Sequence, residues 1–116
     1  MEVSFEVGEN QPTLVLMPVI SGNDGSLELK EPVPVFLLFN DGKFLAENRE
    51  MNIEGVGEQW DDALKMFMDF FFKRFMTYVA SDKEKLDPNE RKQWDIIRMM
   101  IPDWQRQLEG FNKRTE

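Results

Sequence analysis

Apolar and polar positions alternate through the first half of the chain and recur every three to four residues through the second. Val3, Phe5 and Val7 alternate with Glu2, Ser4 and Glu6, the pattern of a half-buried strand. Thr13 to Ile20 is a continuous apolar run interrupted by Pro18, which implies an edge position or a bulge. Gly22-Asn23-Asp24-Gly25 is a turn signal, after which Leu27 and Leu29 alternate with Glu28 and Lys30. Pro32 and Pro34 precede Val35-Phe36-Leu37-Leu38-Phe39, read as a buried strand of its own. Asn40-Asp41-Gly42 supplies residues that adopt positive φ cheaply, so a hairpin is predicted there, with Lys43–Glu47 returning and Met51–Val56 adding one more strand. Successive tight turns imply an antiparallel meander.

The period changes at Val56-Gly57-Glu58-Gln59-Trp60-Asp61-Asp62-Ala63-Leu64, where a strand turns directly into a helix. The predicted helix runs from Trp60 to Val79. Trp60, Leu64, Phe67, Phe71, Phe75 and Tyr78 form its inner stripe, and Ala63, Met66 and Phe70 widen it. Met68, Phe72 and Met76 fall towards other faces. An apolar arc this wide needs cover on two sides, from a second helix or from another subunit. Asp87-Pro88-Asn89-Glu90 opens the second helix as a capping box with proline at the first helical position. Trp94, Ile97, Ile101 and Leu108 line its inner side. Pro102 kinks or restarts it, Asp103-Trp104 opens a short final segment, and Gly110 is expected to stop it.

The expected fold is therefore one α+β domain over residues 1–116. Strands occupy 1–57 as an antiparallel β-meander. Helices occupy 58–111 as a long C-terminal aromatic helix and a second, Pro-kinked one. Residues 112–116 form a frayed tail.

The chain has 116 residues and a net charge of −8, which argues against direct nucleic-acid binding. Residues 1–57 carry ten acidic against three basic side chains, a net of −7, and residues 58–116 carry twelve against eleven, a net of −1. The N-terminal half thus offers an acidic surface to a basic protein partner, with Glu28 and Glu47 on exposed strand positions. No cysteine is present, and the N-terminus lacks the basic start and apolar stretch of a signal peptide, so a cytoplasmic location is expected. The aromatic stretch Met66–Met76 is too short and too charged to span a membrane.

Catalytic chemistry finds little support. The chain has no histidine, and Gly55-Val56-Gly57 lacks the remainder of any phosphate-binding loop. Ser4, Ser21, Ser26 and Ser81 have no activating base nearby in sequence. Asp61 and Asp62 point about 100° apart on a helix and serve its first-turn dipole instead. Asn23, Asp24 and Glu28 lack the calcium-loop pattern. The expectation is a non-enzymatic protein without cofactor or metal.

The segment Glu50-Met51-Asn52-Ile53-Glu54-Gly55-Val56-Gly57-Glu58-Gln59-Trp60-Asp61-Asp62-Ala63-Leu64 resembles the strand–helix junction of HicB-like antitoxins. Gly57, Glu58, Trp60, Asp61-Asp62 and Ala63-Leu64 match that family's glycine, acid, apolar residue, acidic pair and Ala-Leu. Gly42–Glu47 fits its second strand. The likeness spans about Leu37 to Leu86. It implies a partial ribonuclease-H-like fold, a three-stranded antiparallel sheet backed by one helix, that masks a basic toxin. Gln59 replaces the family's capping Thr, and no DNA-binding motif follows the helix. The resemblance implies a stand-alone antitoxin-type or inhibitor-type module. The alternative is a homo-oligomeric acidic chaperone or structural subunit, phage- or secretion-related. In either case a homodimer is expected, with Met68, Phe72 and Met76 at its interface.

Overall fold

The computed structural model describes residues 12–22 and 25–114. Four strands form one antiparallel sheet in the order β1-β2-β3-β4: β1 (Thr13–Gly22), β2 (Gly25–Asn40), β3 (Lys43–Asn48) and β4 (Ile53–Gly57). Three α-helices follow: α1 (Trp60–Ala80), α2 (Pro88–Met100) and α3 (Trp104–Arg114). This is the α+β meander that the alternation predicts. The expected strand at Val3, Phe5 and Val7, and the turn residues Asn23 and Asp24, lie outside the described residues.

β2 differs from its expectation. It is one 16-residue strand, not two. Its pairing with β1 steps from Met17–Val33 to Val19–Glu28, so the ladder is irregular around Pro18, Pro32 and their neighbours. Proline lacks the amide a ladder needs, and the irregularity is where its absence is tolerated. β3 pairs only with Phe36–Asn40, which leaves Pro34 with a strand neighbour on one side alone. The exposed edge of β2 at Glu28 is closed by Gln107 of α3. The Glu28 amide donates to Gln107 Oε1 at 2.9 Å, and Gln107 Nε2 donates to the Glu28 carbonyl at 3.0 Å. One side-chain amide thus replaces a missing strand partner.

The turns are chemically explicit. Asp41 and Gly42 take φ of 54° and 75°, as a two-residue hairpin with the right twist requires. Asn48 is the one buried polar residue among the described positions, and it is satisfied. It donates to the Pro34 carbonyl at 2.8 Å and accepts the Met51 amide at 2.9 Å, tying β2 to the β3–β4 turn.

α1 lies close against the sheet because two glycines allow it. A Cβ on Gly55 would stand 2.3 Å from the Ala63 carbonyl oxygen and 2.5 Å from the Phe67 amide nitrogen. A Cβ on Gly57 would stand 2.7 Å from the Ala63 nitrogen. Ala63, Phe67, Phe71 and Phe75 then fill the core with Ile20, Leu27, Val33, Val35, Leu37 and Ala46. Trp94 of α2 closes that core, its ring 6.1 Å from Phe75, 6.0 Å from Tyr78 and 5.3 Å from Trp104 of α3.

α2 starts with the predicted capping box: Asp87 accepts from the Glu90 amide at 2.8 Å, and Glu90 accepts from the Asp87 amide at 3.2 Å. At Pro102 the helix does not kink but ends at Met100 and restarts as α3. Gly110 does not stop the last helix, which continues to Arg114. Glycine lowers helix propensity without forbidding the conformation. Among the described residues no helix is long and apolar enough to cross a membrane.

Candidate functional site: an open apolar sheet face

Side chains alternate across a strand, so the ladder fixes which residues share a face. One face carries Leu37, Ala46, Val35, Ile53, Val33, Leu27 and Ile20, all buried beneath the helices. The other carries the row Leu14–Phe36–Glu47–Glu54 and, beside it, Leu16–Pro34 and Leu38–Leu45–Val56. No described element lies over this second face. Leu14 is 53% exposed, Leu16 56% and Phe36 39%. Aliphatic and aromatic side chains at that exposure, adjacent in two paired strands, form a contiguous apolar surface instead of scattered single residues.

A hollow of about 530 Å³ opens at one side of this face, between Pro34, Phe36 and Leu38 and the β3 end at Glu47 and Arg49. The Glu47 carboxylate lies 3.3 Å from Arg49 Nε, with its side chain 17% exposed and that of Arg49 87% exposed. Glu28 sits opposite Val19 at the far end of the same side of the sheet. The two acidic residues expected at a partner surface, Glu28 and Glu47, are therefore brought to one face.

The three apolar residues expected at an interface stand elsewhere. Phe72 is buried, 5% exposed, and belongs to the core. The end of β1 covers it: a Cβ on Gly22 would meet the Phe72 ring atom Cγ at 2.9 Å. The Ser21 amide donates to Met68 Sδ at 3.5 Å, and Met68 and Met76 are half-buried against the same core. Phe72 is thus withdrawn as a surface residue, because the β1–β2 hairpin closes that flank of α1. The apolar residues that α1 exposes are Met66 (40%) and Phe70 (42%), which the periodicity placed inside.

Sequence reasoning also missed Leu14, Leu16 and Phe36 as surface residues. Helical layering held the signal: all the predicted helices follow the last strand, and one helical layer covers one face of a sheet.

Two further polar side chains brace the fold. Arg74 donates to the carbonyls of Met51 and Asn52 and to Gln93 Oε1, closing the turn in which Asn52 has φ 55°. Burial raises the Tyr78 phenol above its ordinary range, and its hydroxyl donates to Gln93 Oε1 at 2.8 Å. Among the described residues no group of three or more acidic side chains is placed to hold a metal ion. No protein-family model, curated protein or solved structure matches this chain.

Proposed function

We propose that this chain is a non-enzymatic protein-binding module, of the HicB-like antitoxin or inhibitor type, that masks a basic protein partner with the open face of its sheet. The observation that carries the proposal is the exposed apolar surface of Leu14, Leu16 and Phe36, which no described element covers, with Glu28, Glu47 and Glu54 along its strands. A large exposed apolar patch marks an interaction site, and a net charge of −8 selects a partner of opposite sign. The HicB-like comparison draws support from the order β2-β3-β4-α1, in which three consecutive antiparallel strands lead into a helix seated on Gly55 and Gly57.

The test is affinity capture from the native host, followed by binding kinetics of the captured protein at several salt concentrations. A basic partner is expected. Its on-rate should fall as the Debye length shrinks from about 10 Å at 0.1 M salt to about 3 Å at 1 M. Leu16→Thr with Phe36→Thr should abolish binding, and Glu28→Lys should slow association. A partner indifferent to all three substitutions, or recovery of this chain alone, overturns the proposal and favours the homo-oligomeric subunit.

A further inference from the structure

The outer side of α1 carries a second unassigned surface. A hollow of about 280 Å³ is lined by six residues: Asp62, Lys65, Met66, Asp69, Phe70 and Lys73. Two are acidic, two basic and two apolar. None of the four charged side chains forms an ion pair among the described residues. Lys73 Nζ lies 5.9 Å from the centroid of the Phe70 ring. Beside them runs β4, which among the described strands pairs with β3 on one edge only. Its Val56 amide donates to Met66 Sδ at 3.4 Å, a weak acceptor for a strand edge.

At 100° per residue, Asp62 and Lys73 lie on the midline of this stripe, Lys65 and Asp69 on one flank, and Met66 and Phe70 on the other. A two-fold axis perpendicular to the helix keeps each flank on its own side and reverses the order along it. We infer that this stripe binds a second copy of the same chain, with the two α1 helices antiparallel and crossing about midway between Met66 and Phe70. Asp62 then faces the partner's Lys73, Lys65 faces the partner's Asp69, and Met66 meets the partner's Phe70. Symmetry repeats each pair, giving four opposite-charge contacts and two apolar ones, while the two copies of Asp69 also come near each other beside the axis. The pattern is complementary to its own reverse, which is what an isologous interface demands. The Met66–Phe70 flank brings the exposed edge of β4 under the same contact. The open sheet face is not used, so a dimer of this kind leaves both partner-binding faces free.

Sedimentation equilibrium of the full chain over a range of micromolar concentrations tests the inference. The expected result is a concentration-dependent species of twice the 13.7 kDa chain mass. Phe70→Glu should leave the circular dichroism spectrum and melting temperature in place and give a monomer. Lys73→Glu sets a carboxylate against the partner's Asp62 at both symmetric contacts and should weaken the dimer about tenfold or more. Adding Asp62→Lys restores the opposite pairing with its signs exchanged and should recover the dimer. A wild-type monomer throughout, a dimer indifferent to Phe70→Glu, or failure of the double exchange to restore association overturns the inference. Loss of the dimer in Leu16→Thr also overturns it, since association would then run through the sheet face.

Discussion

Within β2, Val33, Val35 and Leu37 are fully buried, while their immediate neighbours Pro34, Phe36 and Leu38 face the side that no described helix covers. The two sets are similar in hydrophobicity and differ only in parity. One set meets α1 and α2; the other meets the open side of the sheet. The contrast separates two uses of the same residue types. Apolar area on the covered face stabilises the fold by about 25 cal/mol per Å² removed from water. Apolar area on the open face contributes little of this within the chain and is available to a partner. Substitutions on the two faces should therefore divide into those that unfold the protein and those that only disarm it.

The largest effect is expected at the centre of the covered face. Phe67 is fully buried between α1 and the sheet, so Phe67→Ala leaves a cavity and should cost about 3–5 kcal/mol. Chemical denaturation measures it directly. That loss approaches the whole stability of a domain this size.

Next comes the backbone contact that seats the helix. Gly55→Ala drives a methyl group against the Ala63 carbonyl and the Phe67 amide, both backbone atoms that cannot swing aside. The helix must lift, at a cost of about 1–3 kcal/mol, the range of an overpacked core. Gly42→Asn tests the specificity of this argument: nothing lies within 4 Å of a Cβ there and Asn tolerates positive φ, so the loss should be much smaller.

The helix start offers a gain instead. Gln59 occupies the N-cap of α1 in extended conformation without a side-chain cap. Gln59→Asp supplies an acceptor for the first-turn amides and should stabilise by about 0.5–2 kcal/mol, read as a higher melting temperature. The neighbouring Asp61 and Asp62 already serve the dipole, and their charge will reduce the gain towards the lower end.

A smaller effect is expected from pH. The side-chain hydrogen bond from Gln107, with a further one from Arg106, holds the Asp103 carboxyl below its ordinary value. A carboxylate with a lowered folded-state pKa contributes stability above its unfolded value of 3.8, and that contribution is lost as pH falls through the folded value. Gln107 also clasps the Glu28 backbone, so acid should loosen α3 from β2 first. Asp103→Asn should flatten the acid limb of a melting-temperature profile; an unchanged limb means that another group governs it.

Much of the covered side was legible from the residues. Asn40-Asp41-Gly42 gave its turn, Asp87 and Glu90 their capping box, and the junction at Gly57 the start of α1 within a residue, because these signals are local. The open side was less legible. Val35–Phe39 is an unbroken apolar run, and such a run reads as covered on both faces. Which parity is covered depends on where the helices fall, a tertiary fact. The outer limits of the α1 stripe shifted for the same reason. Gly55 and Gly57 let the helix settle over Ala63 and Phe67, and the β1–β2 hairpin covers the Phe72 flank, which leaves Met66 and Phe70 outside.

The smallest expected change in stability tests the contrast most directly. Leu16 is 56% exposed, opposite Pro34, on the face that no described element covers. Leu16→Thr keeps a residue suited to a strand and removes apolar contact surface. Inside a core such a change would cost several kcal/mol; here it should fall within about 0.5 kcal/mol of the parent. Denaturation of Leu16→Thr beside Phe67→Ala gives the comparison in one experiment. A near-zero shift for Leu16 with a large shift for Phe67 means that Leu16 stays apolar for something other than folding, and the partner reading follows. Similar shifts for both would mean that this face is covered within the chain in solution, and the proposed binding surface would be lost with it.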